Sequence, residues 1–227
     1  MHNCQGYGLY AVGCQLDLYN TQVTNASIDC VSITGGSVVM RHCTLAQFFP
    51  FDLGKPVGVA LRFGDRYEGD VTIPLTRFDI FNTIVTGYSD DEIMGNFSDV
   101  ETATYLFDHC LLRTGEPETI DEAHYKGVIW ENVKDTTAFG RKNFVKIDYD
   151  KQYFDFHLDS VSHAIDSAAV SPEGWRRTAT DCPETSGPTS DASNIGSLQS
   201  NRSSLPCCWC GRLPALLDAG SSAVFRL

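Results

Sequence analysis

"DLYNTQV" at residues 17–23 returns as "DIFNTIV" at residues 79–85, in a chain with no obvious low complexity. Residues 8–23, "GLYAVGCQLDLYNTQV", also slide onto residues 30–45, "CVSITGGSVVMRHCTL", without a gap at an offset of 22. Leu9 falls on Val31, Gly13 on Gly35, Leu16 on Val38, Leu18 on Met40, Asn20 on His42 and Val23 on Leu45. "FDHCLL" at 107–112 extends the columns, and the opening "MHNC" reads as a clipped earlier copy. One column then holds Asn3, Asn20, His42, Asn82 and His109. Its neighbour holds Cys4, Thr21, Cys43, Thr83 and Cys110.

Spacings of 17, 22, 40 and 27 residues exclude fixed-length helical arrays such as ankyrin or TPR. Leu16 and Leu18 alternate with Asp17 and Tyr19, the period-two pattern of a strand. Short strands with shared columns and unequal connections predict an all-β fold. The architecture expected is a partial right-handed parallel β-helix, its coils stacked at roughly 4.8 Å. A column of Asn and His can hydrogen-bond along the stack as a ladder. Thr and Cys are close enough in volume to share a packed column. The ten column residues are therefore read as structural, His42 and His109 included. "GYG" at 6–8 and "TGG" at 34–36 read as turns between strands.

The 40-residue interval carries an excursion at about 46–78, where "VGVALRF" and "VTIPLTRF" flank "GDRYEGD". That pattern predicts a hairpin-like projection. A second excursion, at about 86–104, is acidic and predicts a partly helical loop. Residues 1–167 form the partial β-helix on this reading. Residues 168–227, rich in Ser, Thr and Pro and without strand periodicity, form a poorly structured tail.

"YFDFHLDSVSHAID", residues 153–166, resembles a segment that closes many exported bacterial parallel β-helix proteins. These are the choice-of-anchor proteins, related to pectate-lyase-like β-helices. Phe156, His157, Leu158, Ser162, Ala164, Ile165 and Asp166 match that segment; His163 stands where the pattern usually has Pro. The resemblance implies an extracellular or cell-surface protein and a structural Asp166, its carboxylate satisfying backbone N–H groups where the last coil closes. It also implies an ending of the form "DGxPR…RPDIGAYE", which is missing. Back-translating Arg177–Asn194 and reading from the third codon base allows "DGDGLPRNVRPDIGCFEH". The tail is therefore read as a frameshifted C-terminus, with a genuine disordered tail as the alternative, and the chain as the C-terminal piece of a longer exported protein whose signal peptide lies upstream.

The 227 residues, 42% apolar and 20% charged, suffice for a sizeable core. A net charge of −12 argues against nucleic acid as a partner. No run approaches the roughly 18 apolar residues of a membrane span. The first five of nine cysteines show neither CxxC spacing nor a nearby His pair, and "PCCWC" at 206–210 lies in the tail; no metal site is expected. GxSxG, HExxH, GxGxxG and Walker patterns are absent. No cofactor is expected; Ca²⁺ is conceivable on such a fold, but no ligand loop supports it.

Ligand-binding candidates are Arg62, Asp65, Arg66 and Tyr67 in the first excursion, Asp90 and Asp91 in the second, and Trp130. Arg141 and Lys142 are further basic residues. Phe48, Phe49, Phe51 and Tyr125 are further aromatics able to stack on sugar rings. The expected function is non-catalytic binding of a polysaccharide or cell-surface glycan. The alternative is a fragment of a polysaccharide lyase or glycoside hydrolase, which would set a carboxylate and an Arg or Lys facing each other across stacked coils. An adhesin-like stalk is the third reading.

Overall fold

The structure, a computed structural model, describes residues 1–48, 58–68, 71–135 and 137–169. In chain order the strands are β1 (His2–Cys4), β2 (Leu9–Tyr19), β3 (Gln22–Ala26), β4 (Val31–Arg41) and β5 (Thr44–Gln47). Then come β6 (Leu61–Gly64), β7 (Leu75–Phe81), β8 (Ile84–Gly87), β9 (Ile93–Asn96) and β10 (Leu106–Asp108). The last are β11 (Leu111–Leu112), β12 (Tyr125–Lys126), β13 (Ile129–Trp130), β14 (Phe144–Asp148) and β15 (Tyr153–Leu158), with a 3₁₀ turn at Gly140–Asn143.

The fold is all-β and built on two parallel sheets. One runs β1-β3-β5-β8-β11-β13. The other runs β12-β10-β7-β4-β6-β9, with β2 on the opposite edge of β4. The β2–β4 register pairs Leu9 with Val31, Leu16 with Val38 and Leu18 with Met40, the offset of 22 read from the sequence. The chain passes from the second sheet to the first five times, always through two residues. At Asn20, His42, Asn82, His109 and Gly127 the first of the two is left-handed, with φ of 50°, 52°, 47°, 50° and 56°. Asn and His are the non-glycine residues, with Asp, that tolerate this conformation.

The column is thus marked by a backbone turn, and two of its side chains bond outside it: the Asn82 amide to Ala169 and His109 Nδ1 to Asp108. The residue after it donates to the carbonyl two positions back. Thr21 reaches Tyr19 (3.0 Å), Thr83 reaches Phe81 (2.8 Å), Cys43 reaches Arg41 (3.3 Å) and Cys110 reaches Asp108 (3.4 Å). Thiol and hydroxyl alternate there because both are short donors, not only because their volumes match.

The opening copy sits elsewhere. His2 pairs with Thr24 and Cys4 with Ala26, so Asn3 lies beside Asn25 and not in the column of Asn20. Asn3 and Asn25 share φ values of 55° and 57°, and Asn25 Nδ2 donates to Asn3 Oδ1 at 3.4 Å. A side-chain amide ladder exists, one corner away from where the repeat places it. "TGG" is no turn between strands: Gly35 and Gly36 bend β4 without breaking it, at φ of 65° and 91°. A Cβ on Gly36 would lie 2.1 Å from the Cys14 carbonyl oxygen.

Both excursions are corrected. β4 divides its far edge between two partners, Val31–Thr34 pairing with β6 and Gly36–Arg41 with β7. β6 then pairs with β9. "LRFG" and "IMGN" are therefore further rungs of the sheet and not parts of a projecting hairpin or helical loop. Among the described residues of the two excursions, only a short loop between β6 and β7 folds back on itself, through the Arg66–Thr72 bridge. The physical reason is that β6 pairs along β4 and β9 pairs along β6, so that Leu61 and Phe63 are buried.

Alternation along the first sheet gives it two buried faces. Val23, Leu45, Val85 and Leu112 face the second sheet. There Phe63 and Phe78 stack at 4.3 Å with Phe107 edge-on. Ala46, Ile84 and Leu111 face outward under the antiparallel β14–β15 hairpin, against Phe48, Phe144, Phe156 and Ala164. The folded part runs past residue 167: the Ala169 N–H and C=O bond the Asn82 side-chain amide at 2.8 and 3.1 Å. The frameshift reading falls on residues that lie, from 170 on, outside those described. No helix among the described residues is long and apolar enough to cross a membrane.

Candidate functional site

Two positions beyond Ile84 and Leu111, the outward face of the first sheet turns polar. Register carries the pairs Leu111–Ile84 and Leu112–Trp130 onward to Thr86, Arg113 and Glu131. All three are buried. Glu131 accepts Arg113 Nη1 at 3.0 Å, Thr86 Oγ1 at 2.9 and 3.0 Å, and Asn143 Nδ2 at 2.6 Å. Asn143 Oδ1 in turn accepts Ser162 Oγ at 3.0 Å, from the closing segment. Burial pushes the Glu131 carboxyl above its usual range, and Arg113 works against that shift.

Glu92 lies behind Gly87, where a Cβ would fall 2.2 Å from its Oε1. It is fully buried and accepts the Ser89 N–H at 2.8 Å and the Ala60 N–H at 2.9 Å. Burial raises its carboxyl to about 8. Arg113 Nε donates to the Ser89 carbonyl at 2.5 Å. Its remaining nitrogen, Nη2, has the exposed Asp90 carboxylate 4.0 Å away, an ion pair but longer than a hydrogen bond.

Above this polar floor opens a cleft of about 300 Å³. Phe48, Tyr88, Arg113, Phe139, Arg141 and Tyr149 are among the residues that line it. Tyr88 is 68% exposed and meets Tyr149 edge-on at 6.3 Å. Burial raises the Tyr149 phenol. Asp135, also on the wall, is held by Thr137, whose N–H and hydroxyl donate to its Oδ1 at 2.8 and 2.6 Å.

Few of the residues picked out by sequence meet here. Arg62 is bound to buried Asp29, Nε to Oδ2 at 2.7 Å. Asp65 accepts the Ser98 N–H at 2.6 Å, and Arg66 Nη2 donates to the Ser98 carbonyl at 3.4 Å. Tyr67 donates its backbone N–H to the Val71 carbonyl within the same loop. Asp91 Oδ1 accepts the Ile93 N–H, and Trp130 packs half-buried against the inter-sheet core, 5.1 Å from the Tyr125 ring. These residues hold loops and core. Asp90 alone of that group approaches the cleft, through Arg113; Phe48 and Arg141 from the wider set line it. Among the described residues no three His, Cys, Asp or Glu side chains gather as a metal-binding group.

Arg113, Glu131, Tyr88, Phe139 and Tyr149 went unnoticed; Glu92, beside Asp90 and Asp91 in the acidic second excursion, is buried rather than part of a solvated face. A signal existed: "KGVIWEN" continues the columns beneath "DHCLLRT", with Gly127 under His109, and it places Glu131 under Arg113. Comparisons with protein-family models, curated proteins and solved structures return no match to this chain.

Proposed function

We propose that the two parallel sheets are walls of a right-handed parallel β-helix from a secreted or cell-surface protein, and that it binds glycan without catalysis. The pairing registers and the resemblance of the closing segment to choice-of-anchor proteins support the architecture and its location. The binding reading is carried by the cleft, where Tyr88, Phe139 and Tyr149 supply aromatic lining and Arg113 with Arg141 supplies charged donors. Sugars are held in this manner, apolar ring faces on aromatics and hydroxyls on fixed polar groups.

Arg113 facing Glu131 across adjacent strands is the arrangement a lyase or hydrolase fragment would show, and the Glu92 carboxyl near 8 suits general acid–base work. Both carboxylates are nevertheless buried and occupied by internal donors, which favours binding over chemistry. A glycan array followed by titration calorimetry tests the reading. Binding that Tyr88→Ala weakens about tenfold supports it. Release of an unsaturated, ultraviolet-absorbing product from uronic-acid polymers would replace it with the lyase.

A further inference from the structure

We infer that the cleft takes the end of an acidic glycan, a terminal sugar ring whose carboxylate displaces Asp90 from Arg113. This rests on the glycan-binding reading of the cleft. The space, about 300 Å³, holds on the order of ten waters, enough for one ring and its substituents but not for a length of polymer. Its position fits that size: it lies between the outer face of one sheet and the closing hairpin rather than along a wall.

Two guanidinium groups, Arg113 and Arg141, and one carboxylate, Asp135, line it. The Asp135 Oδ1 accepts from the Thr137 N–H and hydroxyl, which hold the carboxylate in place without neutralising it. Arg141 makes no ion pair among the described residues. Arg113 spends Nε and Nη1 on Ser89 and Glu131, which fix its plane and leave Nη2 facing outward. The partner of Nη2 is Asp90, whose side chain is 88% exposed and stands 4.0 Å off. A carboxylate this exposed is a weak, solvent-screened partner. A ligand carboxylate seated on the neighbouring aromatic rings would hydrogen-bond Nη2 directly, as a charge-assisted contact.

The experiment is an NMR titration of the full chain with methyl glucuronide and, as its neutral counterpart, methyl glucoside. The glucuronide should bind at least about tenfold more tightly. Arg141→Ala should remove most of that margin. Asp90→Asn should tighten glucuronide binding several-fold, since it removes the internal competitor. Both positions are exposed, and unchanged melting temperatures check that the variants fold. A trisaccharide with its uronate in the middle position should bind about tenfold more weakly than one with the uronate at the end. Equal affinity for the two methyl sugars, weaker binding by Asp90→Asn, or equal binding of the two trisaccharides overturns the inference while leaving glycan binding intact. Failure of every acidic and neutral glycan to bind overturns the cleft's glycan reading along with it.

Discussion

The two faces of the first sheet are buried by opposite means. The inner face is a stack of apolar columns in which Val23, Leu45, Val85 and Leu112 meet aromatic rings from the other sheet. The outer face begins the same way, with Ile84 and Leu111 under Phe144 and Phe156, and then ends in Thr86, Arg113 and Glu131. Apolar columns tolerate any side chain of the right volume. The polar column works only while every partner is present, because each unmatched buried charge carries its full desolvation cost.

Stability measurements can break that contrast. Phe78→Ala and Glu131→Ala should each destabilise by about 3–5 kcal/mol in chemical denaturation, the first by leaving a cavity and the second by stranding Arg113. They differ in rescue. Adding Arg113→Met to Glu131→Ala should recover most of the loss, and no recovery would mean the outer column is no more than packing. Nothing at Arg113 should repair Phe78→Ala.

A smaller effect comes with pH. The Glu92 carboxyl sits near 8 when folded, above its value in the unfolded chain. Between the two values the folded state binds the extra proton, so its contribution is complete below about pH 4 and lost as pH rises through 8. Melting points should fall from pH 5 to pH 9 as that proton is lost, and Glu92→Gln should flatten much of that slope. A native protein with the reverse slope contradicts the buried placement of Glu92.

The smallest effect probes the turn column. Asn20→Ala should cost about 1–2 kcal/mol, because alanine resists the left-handed backbone, while Asn20→Gly should stay within about 1 kcal/mol of the parent. Equal losses would return the column to side-chain hydrogen bonding.

The parallel all-β arrangement was legible in residues 9–45, where two eleven-residue strands stack with nothing inserted between repeats. β6 and β9 were not, because four residues carry too few columns to be recognised behind long loops. "MHNC" was misplaced for a related reason: two successive left-handed Asn corners, at Asn20 and Asn25, look alike in sequence. The site was harder still. Its floor needs the register continued to Glu131, and its walls come from a hairpin and a 3₁₀ turn whose docking no local pattern announces. Arg62, Asp65 and Arg66 carried the charge expected of a binding loop, yet Arg62 is paired with buried Asp29, and Asp65 and Arg66 hydrogen-bond Ser98.

The corners also differ in how much length they absorb. From second sheet to first the link is two residues every time. Where β4 bends at Gly35 and Gly36, the next two repeats insert extra residues between β6 and β7 and between β9 and β10 without disturbing the rungs on either side. One corner therefore works as a metronome and another as an open port. A peptide grafted at the port would ride on the wall as a passenger, whereas a single residue added at the metronome would turn every later side chain to the opposite face.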